Sequence, residues 1–175
     1  MNVTIYTDAS IKQRRGAWAT VIIRDGCQPV EFSGSLRGRF RSSTATEICA
    51  VANALHKAHQ AGLVEHGDAV MVHCDNEGAV GRINTGGTNT WKTDRLLIEA
   101  RHAIAKLAKR HGFTVKSRHV KGHQAMATVC EHGVYNLRCD ELCAAIRDRI
   151  EPTSFDVLLA RIARERARAA KRRAA

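Results

Sequence analysis

Much of what this chain of 175 residues lacks narrows its class before any motif is read. It has no run of about 18 apolar residues, so nothing in it predicts a membrane span. It enters a strand by residue 2, which leaves no room for a signal peptide and predicts a cytoplasmic protein. Without an export signal, Cys27, Cys49, Cys74, Cys130, Cys139 and Cys143 are expected to be reduced thiols rather than a disulfide framework. Neither a C-x₂-C pair nor an H-E-x-x-H occurs, so the common zinc frameworks are missing. No internal repeat is found, and no linker is long enough to separate two full domains. Acids are in deficit, 17 Asp and Glu against 28 Lys and Arg, a net charge of +11. A balance of that sign favours a polyanionic partner.

What is present reads as one domain with a tail. Hydrophobic content of 44% is ordinary for a globular chain, and the length suffices to bury a core. Residues 1–152 are expected to fold as one unit. Residues 153–175 are expected to form a helix that is first amphipathic (Phe155, Leu158, Leu159, Ile162) and then basic. From Val157 onward seven bases face one acid, Glu165, more than half of the net charge.

The chain is organised around Asn2–Ser10, NVTIYTDAS, whose period of two predicts a strand ending on Asp8. Ala69–Asp75, AVMVHCD, is almost continuously apolar and ends on Asp75, as suits a strand covered on both faces. Side by side and parallel, the two would bring both carboxylates to the C-terminal edge of a sheet, where open α/β sheets bind ligands. Two such acids a few Å apart repel by roughly 4 kcal/mol at an effective dielectric near 20. That arrangement asks for a cation.

Between these strands, Ala17–Ile23 and Pro29–Leu36 flank the Asp25-Gly26 turn and predict an antiparallel meander after a basic turn at Ile11–Gly16. Ser42, Ser43 or Thr44 could cap a helix running to Ala61, with Ile48, Val51, Ala52, Leu55 and Ala58 inward. Glu47 falls on its first turn, where it could serve the helix dipole or point over the sheet end toward Asp8 and Asp75. A short helix, Asn76–Ile83, and a break at Asn84–Asn89 come next. A long helix, Trp91–His111, precedes a strand, Phe113–Val120. After the loop Lys121–Gly133, the helix Val134–Ile150 carries Asp140, with Leu142, Ala145, Ile146 and Ile150 inward and Pro152 as its stop.

Five local patterns in this order resemble type 1 ribonuclease H: YTDAS around Asp8, STATE around Glu47, HCDNEGAV around Asp75, HVKGH at His119–His123 and YNLRCDEL around Asp140. The resemblance covers roughly residues 3–146. It implies an α/β, ribonuclease H-like fold, with a five-stranded mixed sheet in order 3-2-1-4-5, strand two antiparallel, and helices on both faces. It implies hydrolysis of the RNA strand of RNA–DNA hybrids to 5′-phosphate and 3′-hydroxyl ends. Asp8, Glu47, Asp75 and Asp140 would hold two Mg²⁺ ions, with Mn²⁺ as a substitute. Hard oxygen ligands suit such ions. His123 would assist proton transfer or product release. Lys12, Arg14, Arg15, Arg39, Arg41, Ser43, Thr44, Asn76, Glu77 and Lys121 are the expected contacts to a hybrid, and the protein is expected to be a monomer that engages no membrane.

Departures from the family pattern bear on substrate. Ser43 and Thr44 stand where two asparagines often reach the minor groove, and keep hydrogen-bonding ability with less reach. Glu77 replaces a glutamine and sets a negative charge near a phosphate backbone. The basic protrusion some members carry is a short neutral stretch at Asn84–Asn89, and the stretch from His123 to Asp140 is longer than usual. Alternatives stay open: a nuclease of the same fold acting on DNA, a non-catalytic nucleic-acid-binding module using the basic tail, and a zinc site from His119, His123, Cys130 and His132. Cys139 and Cys143, flanking Asp140, read as packing residues.

Overall fold

In the computed structural model, which describes residues 1–12, 15–38, 40, 42–85, 94–122 and 124–174, the predicted alternation of apolar residues becomes one five-stranded sheet. Its strands are β1 (Asn2–Lys12), β2 (Arg15–Arg24), β3 (Val30–Leu36), β4 (Ala69–Cys74) and β5 (Thr114–His119), in spatial order β3-β2-β1-β4-β5. β1 pairs antiparallel with β2 and parallel with β4, so the first three strands are the expected meander. The helices are α1 (Ser43–Gln60), α2 (Glu77–Thr85), α3 (Arg95–His111), α4 (Glu131–Asp148) and α5 (Phe155–Ala174).

The period of two in β1 sorts its side chains onto two cores. Val3 and Ile5 join Ile22, Val70, Val72 and Cys74 against Ile48, Val51 and Leu55 of α1 and Leu97 and Ile104 of α3. Tyr6 faces the other way, with Ala17, Ala19 and Val21, onto Cys139, Leu142 and Cys143 of α4. Ala58 is buried as expected, and Ala45, Ala50 and Ala54 of α1 are buried beside it. The helix therefore buries more than the single predicted stripe: Ala50 packs on Trp18 and Leu36 of the meander, and Ala45 and Ala54 join the cluster that includes Leu97 and Ile104 of α3.

Helix ends differ from expectation where capping is nonlocal or unusual. Ser42 is the N-cap of α1, its Oγ accepting from the Ala45 N–H at 3.1 Å. α3 runs from Arg95, with Asp94 as its N-cap accepting from the Leu97 N–H; the expected start at Trp91 lies outside the described residues. α4 starts three residues before the expected Val134, with the Cys130 thiol accepting from the Gly133 N–H at 3.3 Å. It ends at Asp148, capped by Arg149 in the left-handed region at φ 59°, two residues before the expected end at Ile150. Ile150 consequently lies outside the helix and is exposed, against the expected inward position.

The segment after α4 is fastened from below. Arg138 is buried and grips Glu31 of β3 through Nε at 2.7 Å and a second nitrogen at 2.8 Å, while also donating to the Thr153 carbonyl. α5 then lays Leu158 and Ile162 against Val129, with Met126, Val134 and Leu137 around them. A run of rings crosses the same side of the molecule: His73 on Tyr6 at 4.9 Å, Tyr6 on Tyr135 at 4.7 Å, Tyr135 on Phe155 at 5.8 Å. Burial, aided by the neighbouring His132, pushes the His73 imidazole down to about 4, so it stays neutral in the stack.

Candidate active site

The last parallel pair between β1 and β4 is Tyr6 with His73. Two residues further on stand Asp8, still in β1, and Asp75, the residue that follows β4, so the parallel pairing carries both acids to the same edge of the sheet. Neighbouring strands run about 4.8 Å apart. The remaining acids arrive on helices from opposite faces, Glu47 on α1 and Asp140 on α4. All four line one cavity of ≈ 510 Å³ at the C-terminal edge of β1 and β4, with Ala9, Ser10, Ser43, Asn76 and Gly122 completing its wall.

Glu47 sits in the second turn of α1, not the first, and it is buried. Its Oε1 accepts from the Ala9 N–H at 3.2 Å and its Oε2 from the Cys74 thiol at 3.7 Å. Of its two expected roles, the structure selects the one that reaches over the sheet end. Asp140 is held differently. Cys139 donates to the Tyr6 carbonyl at 3.5 Å and Cys143 to the Asp8 carbonyl at 3.2 Å, so two buried thiols clip α4 to β1 on either side of Asp140. Both pack as the sequence suggested, and burial pushes both thiols up, leaving them protonated donors.

Asp8 and Glu47 are the electrostatically expensive members. Burial, with Asp75 and Asp140 nearby, pushes the Asp8 carboxyl up to about 8. Burial, with Asp8 and Asp75, pushes Glu47 well above its usual range. Among the described residues none of the four acids forms an ion pair. The donor set is thus oxygen-rich, buried at Asp8 and Glu47, half-buried at Asp75 and Asp140, and without an ion pair, which fits hard divalent cations. Ligand atoms of Glu47, Cys74 and Asp75 also lie within 4.8 Å of one another. Cys74 had no role in the sequence reading; its thiol is buried, pushed up, and serves Glu47 as a donor.

Gly122 is a second residue the sequence reading missed. A β-carbon there would meet Asp75 Oδ2 at 2.5 Å, so the loop backbone sits directly against that carboxylate. Nothing in its local sequence announces this, since the contact spans 47 residues. Arg147 is a third. It donates to Ser10 Oγ at 2.7 Å and pairs with Asp148, setting a cation at the cavity's rim.

The expected substrate contacts divide into three groups. Ser43, Thr44 and Asn76 form one polar cluster at the rim: Asn76 Nδ2 donates to Ser43 Oγ at 3.3 Å, and Thr44 Oγ1 to Asn76 Oδ1 at 3.2 Å. Lys12 and Lys121 are exposed, the latter beside Gly122. Glu77 is exposed at the start of α2 and turns toward His119, 3.9 Å away. Arg14, Arg39, Arg41 and His123 lie outside the described residues, as do Trp91 and most of the Asn84–Asn89 break; Arg15 is placed only as backbone of β2. The zinc alternative finds no support among its described members. His119 turns to the Asp75 carbonyl, Cys130 caps α4, and His132 meets the Tyr6 hydroxyl at 2.7 Å.

Against known proteins, the RNase H family profile matches residues 1–147. Among solved structures, RNase H1 from the halophilic archaeon Halobacterium salinarum is similar at a TM-score of 0.64 and 20% identity, over 85% of this chain and 99% of that one. LC11-RNase H1, solved in complex with an RNA/DNA hybrid, is similar at 0.61 and 19%, over 84% and 97%. The N-terminal RNase H domain of rv2228c from Mycobacterium tuberculosis, solved as a maltose-binding-protein fusion, is similar at 0.60 and 16%, over 85% and 94%. No curated protein matches. At these identities the structures speak for the fold, and the sheet order agrees with the one the five motifs implied.

Proposed function

The chain belongs to the ribonuclease H family of endonucleases, and from that premise we propose that it cleaves the RNA strand of RNA–DNA hybrids with two Mg²⁺ ions held by Asp8, Glu47, Asp75 and Asp140. One observation carries the reading: four acids from four separate elements meet in one cavity, and the two buried ones are ionised only at a cost that bound cations would remove. When bound, such a pair of ions acidifies the attacking water and stabilises the leaving oxyanion.

The chain's own residues supply position. The Ala9 N–H fixes Glu47, the two thiols of α4 fix Asp140, and Gly122 backs Asp75. The Ser43, Thr44 and Asn76 cluster lies on the rim where a groove edge would approach. Backbone groups at Ala9 and Ser10, which line the cavity, can recognise a 2′-hydroxyl, the group that separates RNA from DNA. His123, next to Gly122, is assigned to the proton on the leaving group or to product release. LC11-RNase H1, bound to a hybrid in its structure, supports the choice of substrate.

The test is cleavage of labelled hybrid, duplex RNA, duplex DNA and single strands, each with Mg²⁺ or EDTA. The expected result is Mg²⁺-dependent cutting confined to the RNA strand of the hybrid, leaving 5′-phosphate ends. Equal cutting of an all-DNA duplex, or cutting in EDTA, would overturn the proposal.

A further inference from the structure

The basic half of α5 has a geometry that the cleft does not use. Leu158 and Ile162 are buried, and from Ala163 to Arg173 no residue of the helix is fully buried. Arg161, Arg164, Arg168, Lys171 and Arg172 follow one another at i, i+3, i+7, i+10 and i+11, which places all five on one helical face. At 1.5 Å per residue that row is roughly 16 Å long, the axial length of about five nucleotides in one strand of a duplex. Its acidic neighbours are few: Arg161 meets the half-buried Glu141 at 2.7 Å, and Arg168 meets Glu165 at 2.8 Å in a pair open to solvent on both sides. An exposed pair such as Arg168–Glu165 is weak and exchanges readily for another anion.

The row is also tethered to the acidic edge. Arg166, on the opposite flank of α5, donates to the Val129 carbonyl at 2.6 Å, and Val129 packs under Leu158 and Ile162. Val129 belongs to the loop that begins at Lys121 and Gly122, against Asp75, and that loop is braced by Gln124, which bonds the Lys121 carbonyl and the Cys130 N–H. One short braced loop therefore separates the acids from the helix. We propose that this face of α5 is a second phosphate-binding surface, which takes the backbone of the nucleic-acid duplex outside the cleft. The proposal rests on the functional reading above only for the identity of that duplex.

Charge complementarity selects the partner. Five cations in a row match a run of phosphates, and Ala163–Ala175 contains no aromatic residue for base stacking, so binding there is independent of sequence. An anionic membrane would need a continuous apolar face to insert; Phe155, Leu158 and Ile162 of α5 are spent on docking, and Val157 and Leu159, which stay exposed, are two side chains at the start of the helix.

The decisive variant is R164Q/R168Q/K171Q/R172Q in the full chain, which leaves Arg161, Arg166 and the docking residues in place. Binding to a long, all-DNA duplex in EDTA, read by fluorescence anisotropy across a salt series, is expected to weaken at least tenfold at low salt. The slope of log K against log salt should flatten by up to roughly 3 to 4, since each phosphate contact contributes about 0.9. With Mg²⁺, KM for a long hybrid should rise while kcat on a minimal hybrid stays at the wild-type value. R164K/R168K/R172K, which keeps the charge, should restore wild-type binding. An unchanged salt slope would overturn the proposal, as would a loss of binding to anionic lipid vesicles with duplex binding intact. Because duplex binding needs no cleavage, a wild type that fails to cut any hybrid would sink the catalytic reading and leave this result standing.

Discussion

The two ends of the β1–β4 pair carry buried acids of the same kind in opposite electrical circumstances. Asp68 immediately precedes β4 and Asp75 immediately follows it. At the first end the chain neutralises its own charge. Asp68 accepts from Arg24 at 2.8 Å and from the Glu65 N–H at 2.8 Å, with the Met1 amino group 3.3 Å away. These hydrogen bonds and the guanidinium hold its carboxyl below the usual range. At the other end Asp8 and Glu47, equally buried, meet other acids, and their carboxyls are pushed up. Burial alone therefore does not decide the state of an acid; the supply of positive charge does. A fold able to build Arg24 against Asp68 has left Asp8 and Glu47 at the opposite edge without an ion pair among the described residues, Arg147 standing only at the rim, and that edge is where an external cation gains most.

Removing the central acid is the largest perturbation. Asp8→Asn is expected to reduce hybrid cleavage by roughly 10³-fold or more while the fold remains. It should also stabilise the metal-free protein, with a pH signature fixed in sign. A carboxyl whose folded value is raised binds its proton more tightly folded than unfolded, so the metal-free wild type loses stability as pH rises from about 4 to about 8. The melting-temperature gap between Asp8→Asn and wild type should widen across that window and close when Mg²⁺ is added. A gap constant with pH would mean that the edge is not short of charge. Asp68 has the opposite sign: its contribution is present above the ordinary Asp value and is lost as pH falls through the lowered one.

At the neutralised end the effect should fall on stability instead. Arg24→Ala strands Asp68 in the interior and is expected to cost about 3 kcal/mol in chemical denaturation, with kcat retained. Loss of activity at full stability would erase the contrast between the ends. Gly122→Ala probes the acidic edge more gently. Its β-carbon would press on Asp75 Oδ2, so kcat should fall by about 10 to 100-fold with stability changed by less than about 1 kcal/mol. An unaltered kcat would show that the loop can retreat without moving the carboxylate.

The smallest effect belongs to Glu77. It is exposed, at the start of α2, and turned toward His119. Glu77→Gln should lower KM for the hybrid by about 2-fold at low salt, with kcat unchanged, because a screened surface charge acts equally on bound substrate and transition state. A change in kcat would place Glu77 closer to the chemistry than its exposure indicates.

Legibility in the sequence followed the range of the interaction. Asp8 and Asp75 stood out because strand periodicity and strand ends are local, and β1–β4 pairing then carried them to the same edge of the sheet. Glu47 and Asp140 needed the family motifs, since no local pattern tells a helical acid which way to point. Gly122 against Asp75, Cys74 under Glu47, and Arg24 on Asp68 were invisible for the same reason: each joins elements far apart in the chain. Helix ends failed where the cap was an uncommon one, a cysteine before α4 and an arginine in the left-handed region after it.

The strand order β3-β2-β1-β4-β5 also fixes an order in time. During synthesis the meander of β1, β2 and β3 is complete by Leu36, whereas the partner of β1 on its other side begins only at Ala69. For that interval the central strand of the finished sheet is an edge, with the unpaired N–H and C=O groups of Asn2–Tyr6 open to any extended neighbour. β1 itself carries little to blunt that edge: Val3, Ile5 and Tyr6 are all bound for the interior. The nascent chain is therefore most vulnerable to misassociation before β4 emerges, and α1, which covers the Val3 and Ile5 face, is the segment made in between.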